Sequence, residues 1–476
     1  MDASENNLLL VSIALVSALA VTFVVLYNVW ILPFIVFLGI VVGFLFLQYP
    51  KPVLIAMLAI RVIIDLVHFL PAVGGLNALE LFSGVSTLAF ILLFFHRFSK
   101  DIERHPAIHL FISWNILLIV HLFTSDGSMS VLTDFLKIFS PVLLLPVISS
   151  MMSEEGDGIK VLKIVTIAGS IPVLSSLYYL ASGQMSDPSM VLHGIPRLLG
   201  GYKNLRHHGL VMMIFSILGS FQFFISKTLK EKIIWGAYSA SAILCLYMTM
   251  IRSALLPFAF AIAIFCWMTR RKNMLYLMST GLFMVLVTST QLQDRFKDLV
   301  LVFTLSRKNN AEELSKLGSG RYTLWSESWE FWTDKPLLQQ ILGLGYQGHT
   351  DLTNATFFAF DFASTRDLDT HNDLLFLLYD FGPFGILTYV GMVVISLQGA
   401  WKLHKIGKTY LDKQLGAICF AAIIALMINN AISNGTVKRI TIGWMFWLFA
   451  GLSFGTLKYY NRQTRIQQQR EKYTST

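Results

Sequence analysis

Residues 8–48 read LLLVSIALVSALAVTFVVLYNVWILPFIVFLGIVVGFLFLQ and contain no charged side chain. A helix needs about 20 consecutive apolar residues to cross the roughly 30 Å hydrocarbon core of a bilayer, and this stretch is long enough for two such helices. Similar apolar windows recur along the 476 residues, of which 55% are hydrophobic and 14% are charged. The sequence therefore predicts an all-α polytopic membrane protein.

The apolar windows predict about fourteen transmembrane helices, within a range of twelve to fourteen. They lie near residues 8–28, 31–48, 52–70, 78–96, 107–124, 131–150, 159–181, 208–226, 233–250, 253–268, 274–290, 372–400, 414–432 and 440–457. The first window has no basic segment before it and no small-residue cleavage pattern after it, so it is expected to be a retained helix. The three cysteines fall inside apolar windows and are expected to be packing residues: Cys245, Cys266 and Cys419.

The positions of lysine and arginine predict the orientation, because cytoplasmic loops are enriched in these residues. With both termini inside, the cytoplasmic segments carry basic clusters at 97–104, 227–232, 270–272, 402–413 and 458–472. The short outer loops at 71–77 and 125–130 carry no lysine or arginine. The net charge of +9 is then a property of membrane topology and of contact with anionic lipid, and it requires no nucleic-acid partner.

This orientation divides the chain into four parts. Residues 1–290 form a transmembrane bundle with an outer loop at 182–207, and residues 291–370 form a large extracytoplasmic loop with short helices. Residues 371–457 form the C-terminal transmembrane helices, and residues 458–476 form a basic cytoplasmic tail. Polar groups held at a lipid boundary are costly unless they have a function, so the large loop and its return to the membrane are where a site is expected.

The predicted outer face carries cations that orientation does not explain. They are Arg197, Lys203 and Arg206 in the first outer segment, Arg252 at an outer helix junction, and Arg321 at the start of an aromatic stretch. A cluster of outward cations favours an anionic ligand. The alternative is that each arginine reaches a lipid phosphate or pairs with a loop carboxylate such as Glu327 or Asp334.

Residues 320–333 are predicted to form a helix that lies on the outer membrane surface. Tyr322, Trp325, Trp329 and Trp332 recur at spacings of three and four, which places them on one side of a helix, and tryptophan and tyrosine favour the headgroup level of a bilayer. Such a helix would hold Arg321 at the depth of lipid phosphates. A purely structural interfacial helix would show the same pattern.

His371 lies in a polar run just before an apolar stretch, which indicates a helix start capped by Thr370 or Asn372. An imidazole accepts a proton near neutral pH, and Asp369 or Asp373 would orient it. The alternative is a polar lid over a membrane helix.

Two further polar sets lie within predicted spans, the second of them near an outer helix end. Arg61, Asp65 and His68 share one face of the third predicted span, and Asp134 and Lys137 are three residues apart. Each set is either functional or a self-neutralising structural pair, and the structural alternative is favoured for both.

Together these motifs resemble the O-antigen ligase and polymerase superfamily. The resemblance rests on Arg321 before an aromatic helix, on Gly343-Leu344-Gly345, and on His371-Asn372 followed by Gly382 and Gly385. The PRLLGGYKN stretch with Arg197 and the IRSA stretch with Arg252 are similar to the family's upstream arginine sites. One departure is that Lys203, Asn204 and Leu205 stand where an asparagine-proline-asparagine type of turn is expected. This leaves open which of Arg197 and Arg206 takes the upstream role.

The resemblance implies a GT-C-like glycosyltransferase in the bacterial inner membrane, with its active site facing the periplasm. The enzyme would be metal-independent and inverting, with no cofactor. Its donor would be a glycan on undecaprenyl diphosphate, and its acceptor would be a sugar hydroxyl. His371 would be the catalytic residue, and the diphosphate would contact Arg197, Arg252 and Arg321. The supporting residues would be Arg206, Lys203, Asn372 and Tyr202.

Three activities remain open at this point. A polymerase of O-antigen or exopolysaccharide repeat units uses a lipid-linked repeat unit as acceptor, whereas a ligase uses lipid A-core and a related transferase uses protein. A transporter or flippase is the alternative outside the enzyme class. Transporters usually carry internal repeats and broken helices near the bilayer midplane, and the sequence shows no convincing repeat.

Overall fold

The computed structural model describes residues 32–69, 78–97, 105–125, 128–184, 197–276, 280, 321–350 and 371–474. Within these ranges all regular secondary structure is helical, which confirms the predicted all-α class. The predicted span near 8–28, most of the span near 274–290 and much of the large outer loop lie outside the described residues.

The N-terminal part of the bundle consists of α1 (Leu32–Gln48), α2 (Pro50–Ile63), α3 (Ala78–Arg97), α4 (Ile108–Thr124), α5 (Met129–Met151), α6 (Asp157–Ala168), α7 (Ser170–Ala181), α8 (Leu205–Ile225), α9 (Leu229–Thr249) and α10 (Arg252–Met268). A short 3-10 turn, Ile64–Val67, continues α2. After the gap come α11 (Arg321–Thr333), α12 (Leu337–Leu342), α13 (Asp373–Ile406), α14 (Tyr410–Ile432) and α15 (Ile440–Thr474).

Seven helical stretches among the described residues are long and apolar enough to cross a membrane. They are Ala78–His96, Ser130–Met151, Asp157–Ala181, Leu205–Ile225, Asp373–Ile406, Tyr410–Ile432 and Ile440–Glu471. Three shorter apolar helices accompany them: Val36–Gln48, Ile108–Thr124 and Arg252–Met268. The chain is therefore a membrane protein with several candidate spans.

The predicted span near 159–181 corresponds to the candidate membrane span Asp157–Ala181, which has a local interruption at Gly169. α6 ends at Ala168, and α7 begins at Ser170. Pro172 has no backbone N–H to donate to the carbonyl of Ala168, so a continuous helix would lose that hydrogen bond. A Cβ atom on the intervening Gly169 would lie 2.2 Å from the ring of Phe215. Glycine at the break therefore allows α8 to approach closely.

The centre of the bundle lies around α15. Trp444 and Trp447 are fully buried there, and the indole N–H of Trp444 donates to the hydroxyl of Ser140 on α5 at 3.3 Å. Between residues 461 and 471 all side chains of α15 except that of residue 466, which is half-buried, are exposed. The segment predicted as a basic tail is thus a polar extension of the last membrane helix.

α13 breaks at Gly382, which has φ 67° and ψ −175°. Pro383 follows and cannot donate a backbone hydrogen bond, so the carbonyls of Tyr379 and Asp380 need partners from outside the helix. The backbone N–H groups of Leu344 and Gly345 donate to them at 2.8 and 2.9 Å. The Gly-Leu-Gly motif therefore caps the break in α13.

Gly382→Ala is expected to lower the unfolding temperature of the detergent-solubilised protein by several degrees. A Cβ atom at this position would lie 2.2 Å from the carbonyl oxygen of Ile341, and the positive φ adds strain of about 1–3 kcal/mol for a residue with a side chain. Gly183→Ala is the matched control, because Gly183 has φ 71° but nothing within 4 Å of its Cβ position. Equal losses in the two variants would exclude the close backbone approach as the cause.

Candidate active site

His371 stands immediately before α13, and the residue after it caps that helix. The Asn372 side chain accepts hydrogen bonds from the backbone N–H groups of Leu374 at 2.9 Å and Leu375 at 3.2 Å, as one of the two predicted caps would. Its amide nitrogen donates to the carbonyl of Ala431 at the end of α14, at 3.1 Å. His371 itself has φ 50°, which is uncommon for a residue other than glycine. The cap therefore fixes the backbone that carries the imidazole.

Arg206 is the described cation that meets His371. Asn204 caps α8 by accepting from the backbone N–H groups of Arg206 and His207 at 2.9 and 3.1 Å. The Arg206 Nη1 atom lies 2.7 Å from Nδ1 and 3.0 Å from Nε2 of His371. Both side chains are half-buried. The fold thus brings together two predicted residues that are 165 positions apart in the sequence.

Arg197 and Arg252 lie together at the junction between α9 and α10. The Arg197 Nε atom donates to the carbonyl of Thr249, the last residue of α9, at 3.0 Å. Arg252 is the first residue of α10. Two of the three residues predicted to contact a diphosphate are therefore neighbours at one helix junction.

Arg321 is the first residue of α11, which ends at Thr333, close to the predicted bounds of 320–333. This helix packs against α13 through Ser328, whose hydroxyl lies 3.1 Å from that of Tyr379. Trp332 is buried beside the same tyrosine, with ring centroids 6.1 Å apart, whereas Trp329 is 46% exposed. On the aromatic side of α11, Trp332 therefore packs into the protein and Trp329 remains accessible at the surface.

Two predicted supporting residues lie just before α8 and differ in exposure. Lys203 is exposed, and Tyr202 is buried. The Tyr202 ring stacks on His208 with centroids 5.1 Å apart, and burial raises the pKa of its phenol well above the ordinary value. Tyr202 is thus neutral and serves as a packing residue beneath the turn that carries Lys203.

The predicted pair of Arg61 and Asp65 is present and belongs to a larger buried network. The Arg61 Nη2 atom lies 3.4 Å from Asp65 Oδ1 and donates to Thr441 Oγ1 at 2.5 Å. The Nε2 atom of His207 lies 2.6 Å from Asp65 Oδ2. His68, the third member of the predicted set, is exposed. Because His207 follows Arg206, this network fixes the start of α8 and with it the arginine that contacts His371.

Asp65→Ala is expected to lower the stability of the protein by about 3 kcal/mol, since it leaves a buried arginine without its counter-ion. Thermal unfolding in detergent measures the loss. The double variant Arg61→Met with Asp65→Leu should recover part of it, because well-packed apolar side chains often replace a buried ion pair without cost. If Asp65→Ala were as stable as the wild type, the Arg61–Asp65 pair would not contribute to holding α8 in place.

The described residues also form a polar cavity of about 290 Å³ that the sequence analysis did not predict. It is lined by Asp134, Lys137, Ile138, Asn204, Phe376, Asn434, Val437, Lys438 and Arg439. Asp134 and Lys137 form the predicted ion pair, with 2.8 Å between Oδ1 and Nζ. Asn204 also caps the helix that carries Arg206, and Phe376 lies in the second turn after His371. The cavity therefore lies beside the predicted site.

A buried histidine and aspartate adjoin this cavity. The Nδ1 atom of His349 lies 2.9 and 3.0 Å from the two carboxylate oxygens of Asp380, and its Nε2 atom lies 2.5 Å from the Nζ atom of Lys438. The sequence carried a signal for Lys438 and Arg439. In the predicted orientation the loop between α14 and α15 lies on the outer side, so these two cations are as unexpected there under the positive-inside rule as Arg197 is. His349 and Asp380 had no comparable signal.

Among the described residues, no group of three or more His, Cys, Asp and Glu side chains is arranged to hold a metal ion. The absence of a metal from the reaction stays a prediction.

A family model described as O-antigen ligase matches residues 237–390. These residues form an O-antigen ligase family domain. The match confirms the resemblance to the O-antigen ligase and polymerase superfamily and indicates a glycosyltransferase-like enzyme. The comparison with curated proteins found no match.

The O-antigen ligase family domain runs from α9 to the first half of α13. It includes Arg252, Arg321 and His371, whereas Arg197 and Arg206 precede it. The contact of Arg206 with His371 therefore joins the family domain to the preceding helix α8.

Proposed function

We propose that this protein is a glycosyltransferase that moves a glycan from undecaprenyl diphosphate to an acceptor sugar hydroxyl, at the outer face of the bacterial inner membrane. Its product is a polymer of O-antigen or exopolysaccharide repeat units. The observation that carries the proposal is the contact between Arg206 and His371, one of which lies inside the O-antigen ligase family domain.

His371 is the catalytic residue in this proposal, and it activates or positions the acceptor hydroxyl. A guanidinium group has only donors, so one of the two imidazole nitrogens accepts from Arg206 Nη1 and the other carries the proton of the neutral ring. Neutral histidine is the form that accepts a proton from an alcohol. When Arg206 turns to the donor diphosphate, the nitrogen that it leaves takes the proton of the acceptor hydroxyl.

The arginines bind the diphosphate of the donor. When the bond from sugar to diphosphate breaks, negative charge develops on the leaving phosphate, and guanidinium groups stabilise it by charge-assisted, bidentate hydrogen bonds. Arg197 and Arg252 act from the junction of α9 and α10, Arg321 acts from the start of α11, and Arg206 acts beside His371. A single in-line displacement inverts the anomeric carbon without a metal or cofactor.

The same proposal covers the membrane arrangement and the partners. The chain has about fourteen spans in a GT-C-like bundle, with both termini in the cytoplasm and the site facing the periplasm. The proposal also includes the division of the chain into residues 1–290, 291–370, 371–457 and 458–476. The partners are an undecaprenyl diphosphate-linked oligosaccharide or polysaccharide as donor, and a lipid-linked repeat unit as acceptor.

Ligation to lipid A-core is the second candidate, and the description of the matching family as O-antigen ligase favours it. Purified protein should be incubated with a lipid-linked repeat unit alone and the products separated by size. A ladder of repeat units supports the polymerase. A product that forms only when lipid A-core is added supports the ligase. Donor that crosses a vesicle membrane without any transfer supports a transporter.

A further inference from the structure

None of the residues proposed to act in the transfer reaction lines the polar cavity beside His371. The cavity therefore has no role yet in the proposed reaction. Its volume of about 290 Å³ is near the lower end of the range for small-ligand pockets, roughly 300–1,000 Å³. Its walls come from the start of α5, the cap of α8, the beginning of α13 and the loop between α14 and α15. A cavity of this size admits one sugar ring with its substituents.

The charge of the lining favours an anion. The lining holds three basic side chains, Lys137, Lys438 and Arg439, and one acidic side chain, Asp134. Asp134 forms an ion pair with Lys137 at 2.8 Å and also lies in the field of Lys438. Lys438 and Arg439 both stand on the loop between α14 and α15. The Arg439 Nε atom donates to the backbone carbonyl of Asn434 at 3.2 Å, which fixes the guanidinium at the cavity wall.

Lys438 is held by buried groups rather than by solvent. His349 is 3% exposed, and Asp380 is fully buried. The Asp380 carboxylate accepts from the backbone N–H groups of His349 at 2.7 Å and Gln347 at 3.2 Å, and it also accepts from the His349 ring. Because His349 Nδ1–H donates to this carboxylate, its Nε2 atom accepts from the Lys438 ammonium group. The ammonium group also lies 4.8 Å from the centre of the Phe376 ring, in cation-π contact.

We propose that this cavity binds the acidic group of a sugar in the glycan, a hexuronate carboxylate, with Lys438 and Arg439 as its binding cations. His349 and Asp380 are positioning residues that aim the Lys438 ammonium group. The inference rests on the proposed function and adds the substrate class to it: the glycan is acidic.

The polar lining suits such a sugar. A guanidinium group binds a carboxylate through two parallel hydrogen bonds, and an ammonium group adds a third, charge-assisted one. The amide side chains of Asn204 and Asn434 both donate and accept, which matches sugar hydroxyls. Asn204 and Phe376 join the cavity to the helices that carry Arg206 and His371, so the acidic sugar binds next to the reacting groups.

Ligand binding to the full-length protein in lipid nanodiscs tests the proposal. The probes are methyl β-glucuronide and its neutral counterpart methyl β-glucoside, followed by saturation-transfer NMR titration. The glucuronide should bind at least tenfold more tightly than the glucoside. Lys438→Gln and Arg439→Gln should each weaken glucuronide binding by about tenfold or more, because each removes a hydrogen bond to a charged group.

Three variants complete the design. Lys438→Arg keeps the charge and should retain more binding than Lys438→Gln. His349→Gln should weaken the glucuronide and leave the glucoside unchanged, which a general loss of packing would not do. Lys335→Gln is the matched control, since this exposed lysine lies outside the cavity lining, and it should bind like the wild type. Unfolding temperatures near that of the wild type verify that each variant is folded.

Several results would overturn the proposal. One is equal binding of the two sugars, or no binding of the glucuronide. Another is unchanged glucuronide binding in both Lys438→Gln and Arg439→Gln. Displacement of the glucuronide from the cavity by inorganic pyrophosphate would instead assign these cations to a lipid diphosphate. Binding requires no turnover, so His371→Ala should bind the glucuronide normally. Failure of the proposed transfer reaction is therefore distinguishable from failure of this site.

Discussion

His371→Ala is expected to lower the rate of glycan transfer by about 10²- to 10⁴-fold, the usual contribution of a general base. The variant should still insert into the membrane, because the backbone at this position is held by Asn372, whose side chain caps α13 and donates to the carbonyl of Ala431. The measurement is the turnover of a lipid-linked donor by purified protein in detergent, followed by product size on a gel.

His68→Ala is the matched control for this experiment. His68 is exposed, follows the 3-10 turn Ile64–Val67 and takes no part in the network of Arg61, Asp65 and His207 described above. It should transfer glycan at the wild-type rate. If His371→Ala also retained near-wild-type turnover, the imidazole would have no place in the mechanism, whatever its contact with Arg206.

Arg206→Ala should reduce transfer by about 10²- to 10³-fold, the usual cost of removing one preorganised donor to a developing negative charge. Arg206→Lys should be intermediate, because it keeps the positive charge and loses the planar fork that binds phosphate oxygens in pairs. Turnover at saturating donor and donor affinity should be measured separately, since the proposed contact stabilises the transition state.

Arg462→Ala is the control for the loss of an arginine, because Arg462 is exposed on the polar extension of α15. The comparison with Arg197→Ala decides which upstream arginine is essential. Wild-type turnover of Arg206→Ala together with a large loss in Arg197→Ala would give the role to Arg197. The contact with His371 would then only position the imidazole.

The helices were largely predictable from sequence. A membrane span is recognised by the length of a local apolar run, and described helical residues overlap each predicted span from 31–48 onward. In the span near 274–290 these are only residues 274–276 and 280. The start of α13 was also predictable from a local signal, since a helix cap is indicated by the residue types next to the helix start. The break at Gly169 was missed, although Pro172 was a local signal for it.

The candidate site was only partly predictable. His371, Arg197, Arg206, Arg252 and Arg321 were found as polar or charged residues that the membrane orientation does not explain. Their partners were not found. The sequence left open which of Arg197 and Arg206 takes the upstream role, and it suggested Asp369 or Asp373 beside the histidine. In the structure, the Asp373 carboxylate accepts from the backbone N–H groups of Gly435 and Val437 at 3.0 and 3.1 Å. It thus holds the loop that carries Lys438.

By itself the sequence determined that the chain is helical and that it lies in a membrane, and it predicted an outer face that collects cations. These properties depend on apolar run length and on charge at loop positions, and both are local. Only the tertiary structure decided that Arg206 reaches His371, that the Gly343 segment caps the break at Gly382, and that His349 and Asp380 hold Lys438 at a cavity. These contacts join segments far apart in the chain, and helix packing, rather than any local pattern, sets which side chains face one another.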